Sequence, residues 1–343
     1  MRQRHSHSAS IPAPRRTTAR RMLAALLLVT APAMAQQKPA GLPGAYPAKP
    51  VRVIISSVPG GGADFLGRLV FSKLGPLWGA TFNAENLATG VGGILAMETT
   101  LKAPADGYTL LVTSSSSYIN AAFVAPVSWD VRKVFAPISP MTLSTLLMGV
   151  AANTPYHNLK EMIAYAKAHP GEITFGVPGI GSSPHLTGEL MQHMAGFKMT
   201  VVPYKGTGQA VIDTLAGRVP AIIGSVTALT PHVRAGKIKL IGVTSATRVP
   251  SAPEFITLNE AGLTGYDYSG WFGIVGHGNL PPQLVNALNQ GITQVINQPD
   301  TQAAMLKNGA DPMTGTPEQF RATILNALVR TEAVLKATGL KLE

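Results

Sequence analysis

A short apolar run, a triple glycine and the start of a helix follow one another early in the chain, and this order recurs along its length. Val51-Arg52-Val53-Ile54-Ile55 leads into Pro59-Gly60-Gly61-Gly62-Ala63-Asp64, and Phe65-Leu66-Gly67-Arg68-Leu69-Val70 continues with helical spacing. The near-continuous apolar character of the first segment predicts a strand buried on both faces. Asp64 is a good N-cap type, and Leu66, Leu69 and Val70 share one helix face. A second strand is expected over 81–83. Gly90-Val91-Gly92-Gly93 then opens a helix over 94–101, and Asp106-Gly107 turns into a strand over 108–113. Ser114-Ser115-Ser116-Ser117 leads into 118–123. Repetition of strand, small polar turn and helix predicts a parallel sheet covered by helices.

The same design runs a second time. Val150-Ala151-Ala152-Asn153-Thr154-Pro155 reads as a crossing into a second unit. A helix is expected over 159–168, with Leu159, Met162, Ile163 and Ala166 in register, ending at His169-Pro170-Gly171. Strands over 173–176, 199–202, 221–223 and 240–243 each end in a glycine, serine or threonine turn. Gly270-Trp271-Phe272-Gly273-Ile274-Val275 reads as a strand returning to the first unit. Helices follow over 283–297, from Pro299 to about 308, and from Thr316 to about 336. The expected fold is therefore α/β: a two-lobed clamshell, each lobe a mostly parallel sheet flanked by helices. Lobe 1 comprises 50–150 plus 268–343, and lobe 2 comprises 151–267. Ligands of such sheets sit at the carboxyl ends of the strands, here between the lobes.

The N-terminus is a targeting segment. Arg2, Arg4, Arg15, Arg16, Arg20 and Arg21 precede the apolar stretch 22–29, and Ala33-Met34-Ala35 forms an A-x-A cleavage site before Gln36. Residues 1–35 read as a secretory signal peptide, too short in its apolar part to span a membrane. Residues 36–49, rich in Pro, Gly and Ala, read as a flexible lead-in. The formal charge of +11 is partly the leader's: without its six arginines, 22 basic residues face 17 acidic ones, a net of +5. So mild a balance argues against nucleic acid as a partner. The absence of cysteine removes disulfides, thiolate chemistry and cysteine-metal sites together.

The glycine turn is not a nucleotide P-loop, because no Gly-Lys-Ser/Thr follows it, and it lacks G-x-G-x-x-G spacing. What it supports is capture of a carboxylate by backbone N–H groups at a helix start. Gly181-Ser182-Ser183 is a second such turn. Its hydroxyls suit an anion or a bridging water, or they act only as helix caps worth about 1 kcal/mol. His185, one turn into that helix, is a ligand contact or a structural hydrogen-bonder. Ser114–Ser117 is a site loop or a low-complexity linker. Lys205 is a cation for a second carboxylate or a solvated side chain. Trp129 and Trp271 stack on a ligand or fill the core. The chain has no G-x-S-x-G elbow and no H-E-x-x-H helix, and its histidines are scattered. No catalytic residue, metal or cofactor is expected.

These segments resemble a known family. Tyr46-Pro47-Ala48-Lys49-Pro50-Val51-Arg52 with Pro59-Gly60-Gly61-Gly62-Ala63-Asp64 is similar to the opening of the Bug-type solute receptors of tripartite tricarboxylate transporters. Ala105-Asp106-Gly107-Tyr108-Thr109-Leu110, Gly181-Ser182-Ser183-Pro184-His185-Leu186, Val202-Pro203-Tyr204-Lys205-Gly206, Val243-Thr244-Ser245, Trp271-Phe272-Gly273 and Gly315-Thr316-Pro317-Glu318 follow in family order. The resemblance implies a periplasmic, monomeric receptor with the periplasmic-binding-protein clamshell (Venus flytrap) fold, which is not an enzyme and delivers a small organic carboxylate to membrane permease subunits. It implies that Pro59, Gly60, Gly61, Gly62, Ala63 and Asp64 form the first-lobe cradle, flanked by Thr113, Ser114 and Ser116. Gly181, Ser182, Ser183 and His185, with Tyr204, Lys205 and Gly206, would close from the second lobe.

The chain departs from the family at Ser57, often aromatic there, at Tyr118, often histidine, and at Gly224-Ser225, often Asp-Asn. Ser57, Tyr118 and Gly224-Ser225 are thus expected to set ligand identity. Loss of the Asp disfavours an amino-acid ligand, and the smaller residues favour one larger than the smallest dicarboxylates. A sensor acting on a kinase and an exported hydrolase are the competing readings. The second would need a nucleophile, base or metal that the sequence does not assemble.

Overall fold

The computed structural model describes residues 42, 44, 46–87, 93–204 and 207–342. The expected leader, most of the lead-in, Gly90, Val91 and Gly92, and the candidate site residues Lys205 and Gly206 lie outside the described residues. The chain runs β1 (Val51–Ile55), α1 (Gly62–Trp78), β2 (Phe82–Asn86), α2 (Ile94–Leu101), β3 (Thr109–Ser114), α3 (Ser115–Phe123) and β4 (Phe135–Ser144). It continues through β5 (Leu146–Ala151), α4 (Leu159–Ala168), β6 (Thr174–Val177), α5 (Ser183–Ala195), β7 (Thr200–Pro203) and α6 (Thr207–Leu215). Then come β8 (Ala221–Ser225), α7 (Val226–Arg234), β9 (Ile238–Val243), β10 (Gly270–His277), α8 (Pro282–Ile296), α9 (Pro299–Lys307), β11 (Asp311–Pro312) and α10 (Pro317–Thr338). No helix among the described residues is long and apolar enough to cross a membrane.

Two sheets form, in the orders β11-β4-β10-β3-β1-β2 and β7-β6-β8-β5-β9. The two-sheet α/β architecture is as expected, but each sheet is mixed. β1 pairs in parallel with β2 and β3, and β6 with β7 and β8. The strands on the other side, β10 and β4 in one sheet and β5 and β9 in the other, pair antiparallel. The sheets exchange at Thr145, between β4 and β5, rather than at the expected crossing near 150. The run 150–155 is the end of β5 and the turn after it. β4 escapes a pattern reading because Pro137 and Pro140 interrupt it. The structure accommodates them where the register with β10 shifts, between Phe272 and Gly273 and between Ile274 and Val275, as expected for proline in a strand. α7, with Pro231 inside it, is a helix that the sequence reading does not contain.

Alternation along the central strands places their side chains in two different cores. Val53 and Ile55 of β1, with Leu110 and Val112 of β3, pack against Leu66, Val70 and Leu74 of α1. Ile54 and Leu111 point to the opposite face, towards Ala96 and Met97 of α2. The second core continues into the other lobe, through Phe320, Ile324 and Leu328 of α10, Tyr266 and Tyr268, to Met148, Phe175 and Leu186. α10 therefore braces both lobes. Because β1 and β3 run in parallel, their carboxyl ends bring the turns before α1 and α3 to one edge. β6 and β8 do the same for the turns before α5 and α7.

Candidate ligand-binding cleft

The glycine turn is held from behind. Gly60 sits in the left-handed region at φ +80°, which glycine adopts without strain. Its N–H donates to Asp64 Oδ2 at 2.9 Å, and Gly61 N–H donates to Val58 O at 3.1 Å. Asp64 Oδ1 accepts from Arg68 Nε at 2.7 Å and Asn86 Nδ2 at 2.9 Å, and Asn86 Nδ2 also reaches Ser57 O at 3.0 Å. Burial pushes the Asp64 carboxyl up, but hydrogen bonds from Gly60, Asn86 and Arg68 outweigh it and hold the group below the usual carboxylate range. Asp64 is thus inside the first turn of α1 as a buttress. It is neither the N-cap, which is Gly61, nor a side chain on the cleft.

That arrangement leaves the front of the turn open. Gly61 has no side chain to cap the helix, and Gly62 and Ala63 take no N–H partner among the described residues. Such orphan amides carry the positive end of the helix dipole. Three other helix starts on this edge each give one amide to their own N-cap serine. Ser114 Oγ accepts from Ser117 N at 3.4 Å, Ser182 Oγ from His185 N at 3.4 Å, and Ser225 Oγ from Ala228 N at 3.2 Å.

These helix starts converge on a cleft of about 450 Å³ between the two sheets, within the usual range for small-molecule sites. Gly60, Gly61, Gly62, Ser114 and Ser116 line it from lobe 1, and Ser183, Thr207, Ser225 and Ala228 from lobe 2. Thr142–Leu146 cross its floor, and Trp271, Phe272 and Asn308–Ala310 complete the wall. Ser116 Oγ and Ser183 Oγ meet across the lobes at 2.8 Å. No charged side chain lines the cleft among the described residues.

Several expected contacts stand behind this surface. Ser182 Oγ donates to Gly179 O at 2.7 Å, and His185 Nδ1 accepts from Gly181 N–H at 3.1 Å. The proton of His185 is therefore on Nε2, which faces Glu189 Oε1 at 3.6 Å. Burial holds the imidazole below its ordinary range and pushes Glu189 up. Gly181, Ser182 and His185 shape the second turn, and Ser183 is the member that lines the cleft. Tyr118 is 2% exposed, stacked edge-on to Trp271 at 5.2 Å, with its hydroxyl unpartnered among the described residues. Thr113 is fully buried on β3. Tyr204 donates its hydroxyl to Asp213 at 2.8 Å, and its ring lies against Gly176. Ser57 and Pro59 lie beside the glycine turn outside the lining, where the Ser57 hydroxyl reaches Val58 O at 3.4 Å. Of the three departures from the family pattern, only Ser225 lines the cleft.

Sequence reasoning missed the floor and far wall: Thr142–Leu146, Thr207, Ala228 and Asn308–Ala310. The floor had a signal, the unassigned apolar run Met141-Thr142-Leu143-Ser144-Thr145-Leu146-Leu147. Pro137 and Pro140, just before it, hid it. The 308–310 segment had none, reading only as a helix end.

Residues 74–340 match the family described as tripartite tricarboxylate transporter family receptor, TctC. Protein BugT of Bordetella pertussis is 32% identical over 300 residues, covering 87% of this chain and 92% of BugT. Among solved structures, a Rhodopseudomonas palustris protein with adipate has a TM-score of 0.76 at 29% identity, covering 86% of this chain and 99% of that one. MatC from the same organism, with bound malate, has a TM-score of 0.72 at 25% identity, covering 84% of this chain and 100% of MatC.

Proposed function

The chain belongs to the tripartite tricarboxylate transporter receptor family, and we propose that it captures a small organic carboxylate between its lobes and delivers it to the membrane permease of such a transporter. One observation carries this reading. The bare N-terminus of α1 opens onto a cleft lined by hydroxyls and apolar groups, with a hydrogen bond between Ser116 and Ser183 joining its two sides. Oriented amides and a helix dipole hold a carboxylate without a cation. Adipate and malate in the related structures are carboxylates of the size such a cleft takes. The leader over 1–35 fits export to the periplasm, where a receptor meets its solute. The role is one of binding, with no reaction performed on the ligand.

Closure follows from contacts made in the closed form alone. Ser116 with Ser183 is one such contact. Asp311 is another, accepting from Ser251 N at 2.7 Å and Ser251 Oγ at 2.9 Å across the lobes. The experiment is native mass spectrometry of the secreted protein, followed by calorimetry with the species found. A bound carboxylate whose removal and return are reversible supports the reading. A co-purifying species without an acidic group, or turnover of the bound species, refutes it.

A further inference from the structure

The turn that carries Ser183 into the cleft is fastened to a titratable side chain. Gly181, at φ +76°, donates its N–H to His185 Nδ1 at 3.1 Å, and Ser182 Oγ donates to Gly179 O at 2.7 Å. A Cβ at Gly181 would stand 3.5 Å from Val124 Cγ2 and 3.6 Å from Leu342 Cδ2, so the turn also packs against side chains of lobe 1. Two residues on, Ser183 lines the cleft, and its Oγ meets Ser116 Oγ at 2.8 Å across the lobes. His185 is 1% exposed and takes no part in lining the cleft.

Only the neutral imidazole, with its proton on Nε2, fits the bond from Gly181. A second proton goes to Nδ1, where it faces the Gly181 N–H, donor against donor, and the bond opens. The buried N–H then lacks its acceptor, and the turn moves to regain one. On the other side of the ring, Nε2 faces Glu189 Oε1 at 3.6 Å on the same helix, a carboxyl that can pair with the imidazolium. Lys198, beyond the end of α5, acts on Glu189. From β6 the ring meets Phe175, stacked at 6.5 Å. From the segment before β10, Tyr266 donates its hydroxyl to Thr187 O at 2.9 Å. From α10, Arg330 lines a small cavity with Ser183 and is paired with Asp267 at 3.0 Å. Glu189 is thus the ionisable group that reaches the ring directly.

We infer that His185 is a positioning residue that makes closure of the cleft depend on pH: its neutral form holds Ser183 against Ser116, and its protonation releases the Gly181 turn and withdraws Ser183. The residue acts through the turn and does not touch the bound solute. The sign follows from the acceptor role. Closure is complete above the titration range of His185 and is lost as pH falls through it. Burial sets that range below the ordinary value of about 6.5. The inference rests on the reading of this cleft as the solute site. Its test needs no solute, so its failure leaves that reading standing, while failure of that reading is seen in the native mass spectrum.

The test is amide and imidazole NMR of the secreted protein, without added solute, between about pH 7.5 and 5.0. In the wild type the His185 ring nitrogens are expected to titrate. The amide signals of Gly181, Ser183 and, across the lobes, Ser116 are expected to follow with the same midpoint, each moving by at least about 0.1 ppm. His185→Asn offers Oδ1 to Gly181 at every pH, so the three signals are expected to hold still in that variant. A ring that titrates while Ser183 and Ser116 stay fixed gives His185 a purely structural role and overturns the inference. A ring that remains neutral to the acid end of the series overturns it too, as does the same movement of Ser183 and Ser116 in His185→Asn. The first two outcomes are decided by the wild type alone.

Discussion

Replacing Asp64 by alanine removes the acceptor that three donors share: Gly60 N–H, Arg68 Nε–H and Asn86 Nδ2–H. Hydrogen bonds to a charged group contribute about 1.5–3 kcal/mol each. Arg68 is half exposed and recovers water, so its share falls to the surface-pair level of about 0–1 kcal/mol. Gly60 and Asn86 remain, and the expected loss is about 3 kcal/mol of folding stability. Asp64→Asn keeps one oxygen for Gly60 and should lose roughly half as much. Asp64→Ala lets Gly60 leave its turn, which spreads the Gly62 and Ala63 amides and should weaken carboxylate binding about tenfold, equivalent to about 1.4 kcal/mol, and Asp64→Asn should weaken it less. The pH dependence carries its own sign. The folded carboxyl is held below its ordinary value, so its contribution is full above the unfolded value of about 3.9 and is lost as pH falls through the folded one. Asp64→Asn should flatten that acid limb. Urea unfolding with calorimetry reads both quantities. Loss of all ligand binding with stability unchanged would place Asp64 on the ligand and refute the buttress.

Three further outcomes follow from the site. Tyr118→Phe removes a buried hydroxyl with no partner among the described residues, so thermal unfolding should show equal or higher stability, by up to about 1 kcal/mol, and unchanged ligand affinity; a large affinity loss would return Tyr118 to the ligand. His185 is held neutral by burial, so the unfolded chain takes up its proton first, and stability should fall as pH drops below about 6.5. His185→Gln, which keeps an acceptor for Gly181, should lose that part of the slope between pH 7.5 and 5.5, and an unaltered slope would assign it elsewhere. Ser251→Ala takes the hydroxyl donor from the buried Asp311 and should cost about 1–3 kcal/mol, read by urea unfolding; no measurable change would mean that this interlobe contact is not held in solution.

Much of the architecture was legible because it depends on local chemistry. Apolar runs followed by glycine or serine turns located β1, β3, β6 and β8, and the helices after β1, β3 and β6. α2 and α4 were bounded correctly by their periodicity and by the turns before them. What failed was tertiary in origin. Pro137 and Pro140 are tolerated in β4 because the register with β10 shifts around them, and no local pattern announces that shift. The direction of β4, β5, β9 and β10 is set by which sheet each strand joins, so the mixed character of both sheets stayed hidden. At the cleft, residue type located the glycine turn that lines it but could not orient side chains. Asp64, Tyr118 and His185 stand in segments that border the cleft and turn inward, because each finds burial or hydrogen-bond partners behind it. Apolar residues of the lining, Leu143, Ala228 and Ala310, carry no chemistry that marks them in a sequence.

The central claim is that a carboxylate is held by the open N-terminus of α1, and backbone amide NMR tests it at the atoms concerned. Titration with a carboxylate that binds should move the Gly62 and Ala63 amide protons downfield, in proportion to saturation, while Gly60, whose N–H is already given to Asp64, moves much less. Saturating ligand with Gly62 and Ala63 unmoved, and the largest shifts elsewhere, would contradict the account.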